Sequence, residues 1–154
     1  MSIIDPTEVT QTTDRLYQGA YLNTAVHFFE TYVIQILNQE QNGLHGTHAK
    51  SGSATRTVDI ATPHGDVVLT SEHGLMAGEL VARLTFTSVR QELDKRVAGR
   101  ELLTVVIKSN SDIVRIGNSV LLHKIGSGSI GNRIIEEIVI LMLSKLQNDL
   151  PVVQ

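Results

Sequence analysis

Two groups of residues have the types and spacing to do chemistry: a run of glycines and a scatter of histidines. The stretch IGSGSIGNR, residues 125–133, holds Gly126-x-Gly128-x-x-Gly131 between an apolar run (Val120 to Ile125) and a helix-like one (Ile134 to Leu146). In a dinucleotide fold such glycines let the backbone approach a pyrophosphate at a helix N-terminus. That fold also needs a second parallel strand after the helix, with an acidic residue about 20 positions on. Here the sequence runs only to Gln154, and Asp149 has no strand to sit on. A phosphate loop of the G-x-x-x-x-G-K-[ST] type fails at Asn132 and Arg133, where an ammonium and a hydroxyl are required. The glycines are therefore read as a corner, with Ser129 capping the helix that follows. No cofactor is expected.

The histidines offer two alternatives. His45 and His48 have metal-ligand spacing, with His64 and His73 as further donors, but a zinc site wants three or four ligands held together. Solvated histidines are the plainer reading, so no metal is expected. His73 beside Glu72, or with Glu79, could act as an acid–base pair. With no Cys and no serine in a recognisable nucleophile setting, no catalytic residue is expected and the chain is read as non-enzymatic. His123 and His27 are read as packing residues. Arg83 and Arg90 lie seven apart and could meet an acidic partner, while Glu136 and Glu137 read as surface charge.

The elements that must position these groups follow from composition and period. In a chain of 154 residues, one domain over 13–150 is expected, behind a flexible N-terminus at 1–12. Aromatics are three Phe, three Tyr and no Trp, so aliphatic residues must build the core. Net charge is −3, which argues against nucleic acid as the main ligand. The absence of Cys suits a reducing compartment. No secretory signal, myristoylation glycine or membrane span is visible, so no direct membrane insertion is expected and a cytoplasmic location is.

Leu22, Ala25, Phe29, Val33 and Ile36 recur at helical steps and predict a helix from about Asp14 to Gln39, with Tyr21, Phe28 and Tyr32 broadening its apolar face. Residues 41–54, rich in Gly, Ser and His, predict a mobile loop. RTVDIA, TPHGD and VVLTS predict a hairpin turning at Pro63 and Gly65. Residues 74–98 predict a long helix ending at Gly99. ELLTVVIKS, DIVRI and VLLHKI predict an antiparallel meander, because their connections are too short for parallel crossovers. A last helix is predicted from about Gly131 to Gln147. The expected order is α-β-β-α-β-β-β-α. Surplus apolar residues on the 74–98 helix, with no further helix to cover them, predict association with another polypeptide.

This order resembles the Roadblock/light-chain superfamily. The resemblance spans residues 55–148 and rests on the hairpin RTVDIATPHGDVVLTS and the meander LLTVVIKSNSDIVRIGNSVLLHKI. It implies an α+β fold with a five-stranded antiparallel sheet, order 2-1-5-4-3, one helix on one face and two on the other. It implies pairing with another roadblock-fold chain, a copy or a paralogue, through Leu80, Leu84, Thr87 and the strand Leu103 to Lys108, including Thr104 and Val106. Together with Arg83 and Arg90 these form the expected partner interface. The implied function is a scaffold that binds or regulates a small GTPase of the Rag type within a larger complex, recruited by its partners to a lysosomal, vacuolar or late endosomal surface. The alternatives are a dynein-type light chain or GTPase-activating homodimer, and, of another class, a small hydrolase-like enzyme or a secretion chaperone.

Overall fold

A computed structural model describes residues 3–39, 43–124 and 128–154. The chain opens with helix α1 (Pro6–Asn38) and closes with helix α2 (Gly128–Asn148). Between them run β1 (His48–Ser51), β2 (Thr57–Thr62), β3 (Gly65–Met76), β4 (Glu79–Glu92), β5 (Lys95–Lys108), β6 (Asp112–Ile116) and β7 (Ser119–Lys124). The seven strands form one sheet in chain order, and every neighbouring pair is antiparallel.

The α1 start is written locally. Asp5 precedes Pro6, and its carboxylate accepts a 2.7 Å hydrogen bond from the Thr7 N–H. A short acidic side chain there satisfies a backbone donor that the first turn cannot, and proline at the first position gives up no bond. The helix thus begins eight residues before Asp14. At its other end Asn38 bonds Ala49 of β1 twice, Nδ2 to the carbonyl at 2.8 Å and the Ala49 N–H to Oδ1 at 2.7 Å. Strand β1 itself lies inside the stretch 41–54 that the sequence suggested as loop.

The principal correction concerns residues 74–98. They form no helix; they hold the end of β3, all of β4 and the start of β5. From Glu79 to Glu92 the chain alternates. Ala82, Leu84 and Phe86 are buried toward the helices, while Arg83, Thr85 and Thr87 face the other way. Two tight turns make this possible. Ala77 and Gly78 both have positive φ, 52° and 79°, which is the backbone of a two-residue hairpin turn. Leu93, at φ 53°, turns β4 into β5. Gly99 caps nothing. It lies in β5 beside an irregularity in the β4 ladder, where an added Cβ would stand 2.5 Å from Ser88 Oγ.

The five-stranded sheet of order 2-1-5-4-3 is likewise overturned, as is the placing of helices on both faces. Both helices lie on one face. α1 crosses β1, β2, β4 and β5, and α2 lies over β5 and β7 and against α1. One core joins them: Leu22, Phe29 and Val33 from α1, Ile135, Ile138 and Met142 from α2, and Ile60, Leu69, Phe86, Val105 and Ile107 from the sheet. Burying each large side chain contributes roughly 1.5–3 kcal/mol. Among the described residues the other sheet face carries a small apolar cluster, Val81, Val106 and Val114 with Met76 beside them.

Candidate binding surface

The sequence pointed to a seam along one helix and one strand. The structure divides those residues between the two sides of the sheet. Leu84 and Leu103 are buried in the core under the helices, and Leu80 packs at its edge. Arg83, Thr87, Thr104, Val106 and Lys108 belong to the outer face or its rim, and Arg90 is exposed near the far end of β4. Period-two alternation in strands makes a single shared seam impossible.

Around the Val81, Val106 and Val114 cluster the described residues of the outer face are largely polar. Thr57, Thr70, Thr85 and Thr104 stand opposite one another across β2, β3, β4 and β5. Arg83 pairs with Glu72 and Lys108 with Glu79 at 3.2 Å; at the far end of β4, beside the end of α2, Arg90 pairs with Glu92 at 3.1 Å. Thr104 Oγ1 donates to Glu101 Oε1 at 2.6 Å. These exposed pairs contribute about 0–1 kcal/mol each.

The histidine chemistry also comes apart. Glu72 and His73 are successive strand residues and face opposite ways. His73 Nε2 instead bonds Asn23 Oδ1 of α1 at 2.8 Å. Gly19 makes room for the ring, since a Cβ there would sit 3.3 Å from His73 Cε1. Burial against α1, and secondarily the charge of Arg56, lower the His73 pKa and favour the neutral ring. His73 docks α1 onto β3. His48 lies in β1 and His64 in the β2–β3 turn, where it bonds Gln147 at 3.4 Å. Among the described residues no three His, Asp or Glu come close enough to share a metal ion. Residues 125–127 of the glycine stretch fall outside the described residues, as do the side chains of His123 and Ser129; Gly128 and Gly131 lie in the first turns of α2.

The sequence reading took Tyr21, Phe28 and Tyr32 to broaden the apolar face of the first helix; in the structure Tyr21 and Phe28 belong to the outward side of α1. Five of the six aromatic residues belong to this helix: Tyr17, Tyr21, Phe28, Phe29 and Tyr32, leaving only Phe86. Phe29 is buried, but Leu16 is 72% exposed, Tyr17 66%, Tyr21 55% and Phe28 39%. The rings are ordered by one another. Tyr17 and Tyr21 meet edge to face at 4.9 Å with hydroxyls 3.1 Å apart, and Phe28 stacks on Tyr32 at 6.1 Å. The Tyr21 hydroxyl bond raises the Tyr17 pKa and keeps that phenol protonated. From Leu16 to Phe29 the chain contains no Asp, Glu, Lys or Arg. Beneath this stripe, Glu30 is buried at 9% exposure; desolvation raises its pKa, and His27 and Arg56 offset that in part.

No helix among the described residues is long and apolar enough to cross a membrane. No family model matches the chain, and neither a curated protein nor a solved structure matches it.

Proposed function

We propose that this protein is a non-catalytic binding module that assembles with another polypeptide through the outward face of α1. One observation carries the reading: Tyr17, Tyr21 and Phe28 stand in solvent, with Leu16 exposed next to Tyr17, on a stretch without Asp, Glu, Lys or Arg. Large aromatics contribute most of the energy at protein interfaces, and a contiguous apolar patch on a soluble domain marks a contact surface. The enzyme alternative has less support, because His73 is committed to Asn23 and Glu72 to Arg83. The Rag-type GTPase, the dynein complex and the lysosomal address came with the roadblock fold; without that fold they are not carried into this reading.

The test is affinity capture with the full chain and with a Tyr21→Glu/Phe28→Glu variant in parallel. Polypeptides, further copies of this chain included, should be retained by the first and lost from the second. Identical bound sets would overturn the reading.

A further inference from the structure

The spacing of the exposed stripe specifies more than stickiness. Its central positions are Tyr17, Tyr21, Thr24 and Phe28, at steps of four, three and four, and all four are exposed. This is the seam spacing of paired helices. It is also symmetric about a point between Leu22 and Asn23. Under reversal, Tyr17 exchanges with Phe28 and Tyr21 with Thr24. The pattern continues outward in polar residues: Asp14 exchanges with Thr31, and Thr10 with Gln35, again all exposed. A two-fold interface needs such self-complementarity, because one patch must fit itself turned around.

We propose, resting on the binding role assigned above to α1, that the partner is a second copy of this chain, packed antiparallel along α1 with the two-fold axis crossing between Leu22 and Asn23. Charge selects the direction. Parallel pairing would set Asp14 against Asp14 of the second copy. Antiparallel pairing sets the Asp14 carboxylate opposite the Thr31 hydroxyl, a donor. The span 16–29 holds no Asp, Glu, Lys or Arg, so no carboxylate, ammonium or guanidinium from it is desolvated by the contact in either direction; His27 flanks the seam. Tyr17, Tyr21 and Phe28, at their observed exposures, offer roughly 300 Å² per chain on the scale of ~150–250 Å² for a whole aromatic side chain. Two copies contribute about 600 Å² from these rings, and the flanking Thr10, Asp14, Thr24, Thr31 and Gln35 must supply the rest of the ~1,000 Å² expected of a specific interface.

The native chain has no Cys, which makes the test direct. Sedimentation of the full chain up to about 100 µM, far above the micromolar Kd that marks the weak end for such areas, should give twice 16.9 kDa. A Tyr21→Ser/Phe28→Ser variant should sediment as a monomer and keep a cooperative melting transition whose midpoint, unlike that of the native chain, does not rise with protein concentration. Tyr17→Cys and Phe28→Cys chains, oxidised as a mixture, should form the 17–28 disulfide dimer, while either alone should not cross-link. A monomeric native chain, a dimer that survives the double substitution, or Tyr17→Cys cross-linked to itself would each overturn the proposal. A monomeric native chain whose captured partners still depend on Tyr21 and Phe28 would sink self-pairing while sparing the binding role; captured sets indifferent to those residues would sink both.

Discussion

Asn38 holds Ala49 by both of its backbone polar groups, so the last residue of α1 occupies the place of an eighth strand beside β1. A backbone N–H has one proton to give, and here it goes to the helix. The free edge of the sheet is thereby closed at its most buried residue, since Ala49 is almost wholly covered. Asn38→Ala should lower unfolding free energy by about 1–3 kcal/mol, because two backbone groups lose their partners. Asn38→Asp should also destabilise, as a carboxylate has no N–H to offer the Ala49 carbonyl. Urea denaturation followed by circular dichroism measures both; unchanged midpoints would refute the clasp.

Phe86 and Arg83 make a paired test of the strand at 79–92. Phe86 is fully buried and Arg83 is exposed on the opposite face. Phe86→Ala should cost about 3–5 kcal/mol through lost transfer energy and the cavity left behind. Arg83→Ala, which removes only a surface ion pair, should cost no more than about 1 kcal/mol. Equal losses at the two positions would contradict the alternation.

Gly99 carries a prediction about close approach. A methyl there would meet Ser88 Oγ at 2.5 Å and the Ser88 carbonyl at 3.0 Å. Ser88 Oγ also accepts the Arg100 N–H at 2.8 Å. Gly99→Ala should therefore destabilise by about 1–3 kcal/mol. Adding Ser88→Ala should recover part of the loss by removing the nearer atom. A thermal melt showing Gly99→Ala equal to the native chain would dismiss the steric account.

Glu30 makes stability depend on pH with a definite sign. Burial raises its folded pKa above 4.5, so between 4.5 and the raised value the folded state binds more protons than the unfolded. Stability then falls as pH rises through that window. Glu30→Gln should raise the melting temperature at neutral pH, and the gain should shrink toward zero as pH drops below 4.5. A variant less stable than the native chain at neutral pH would show that His27 and Arg56 outweigh desolvation.

The sequence was legible where one period dominated. Val58, Ile60, Val67 and Leu69 alternate cleanly around Pro63 and Gly65, and the hairpin lies there. The short connections after Lys108 and Ile116 likewise admit only antiparallel neighbours. Residues 74–98 misled for a physical reason. Leu75, Phe86, Val89, Leu93 and Val97 satisfy a helical wheel, although Leu80, Ala82, Leu84 and Phe86 alternate with Arg83, Thr85 and Thr87. The turns that break the helix place Ala77 and Leu93 in the left-handed region, which side-chain-bearing residues of these types seldom adopt. Neither announces a turn. Thr85 and Thr87, favourable in strands and poor in helices, were the available signal.

The α1 surface was half legible. Tyr21, Phe28 and Tyr32 widen an apolar stripe, but a wheel does not say which part of a wide stripe meets the sheet. Packing decides it: Leu22, Phe29 and Val33 face inward, and Tyr17, Tyr21 and Phe28 are left outside.

A sheet whose spatial order copies its chain order can assemble by successive local closures, with no strand waiting for a distant one. Loop-closure entropy is small at each step, and low contact order speeds such steps. Helix α1 is the exception, because β4 and β5, which it must cover, come far later in the chain. In pulse-labelled refolding, amides of β3, β4 and β5 should gain protection before those of α1; the reverse sequence would show that the helix templates the sheet.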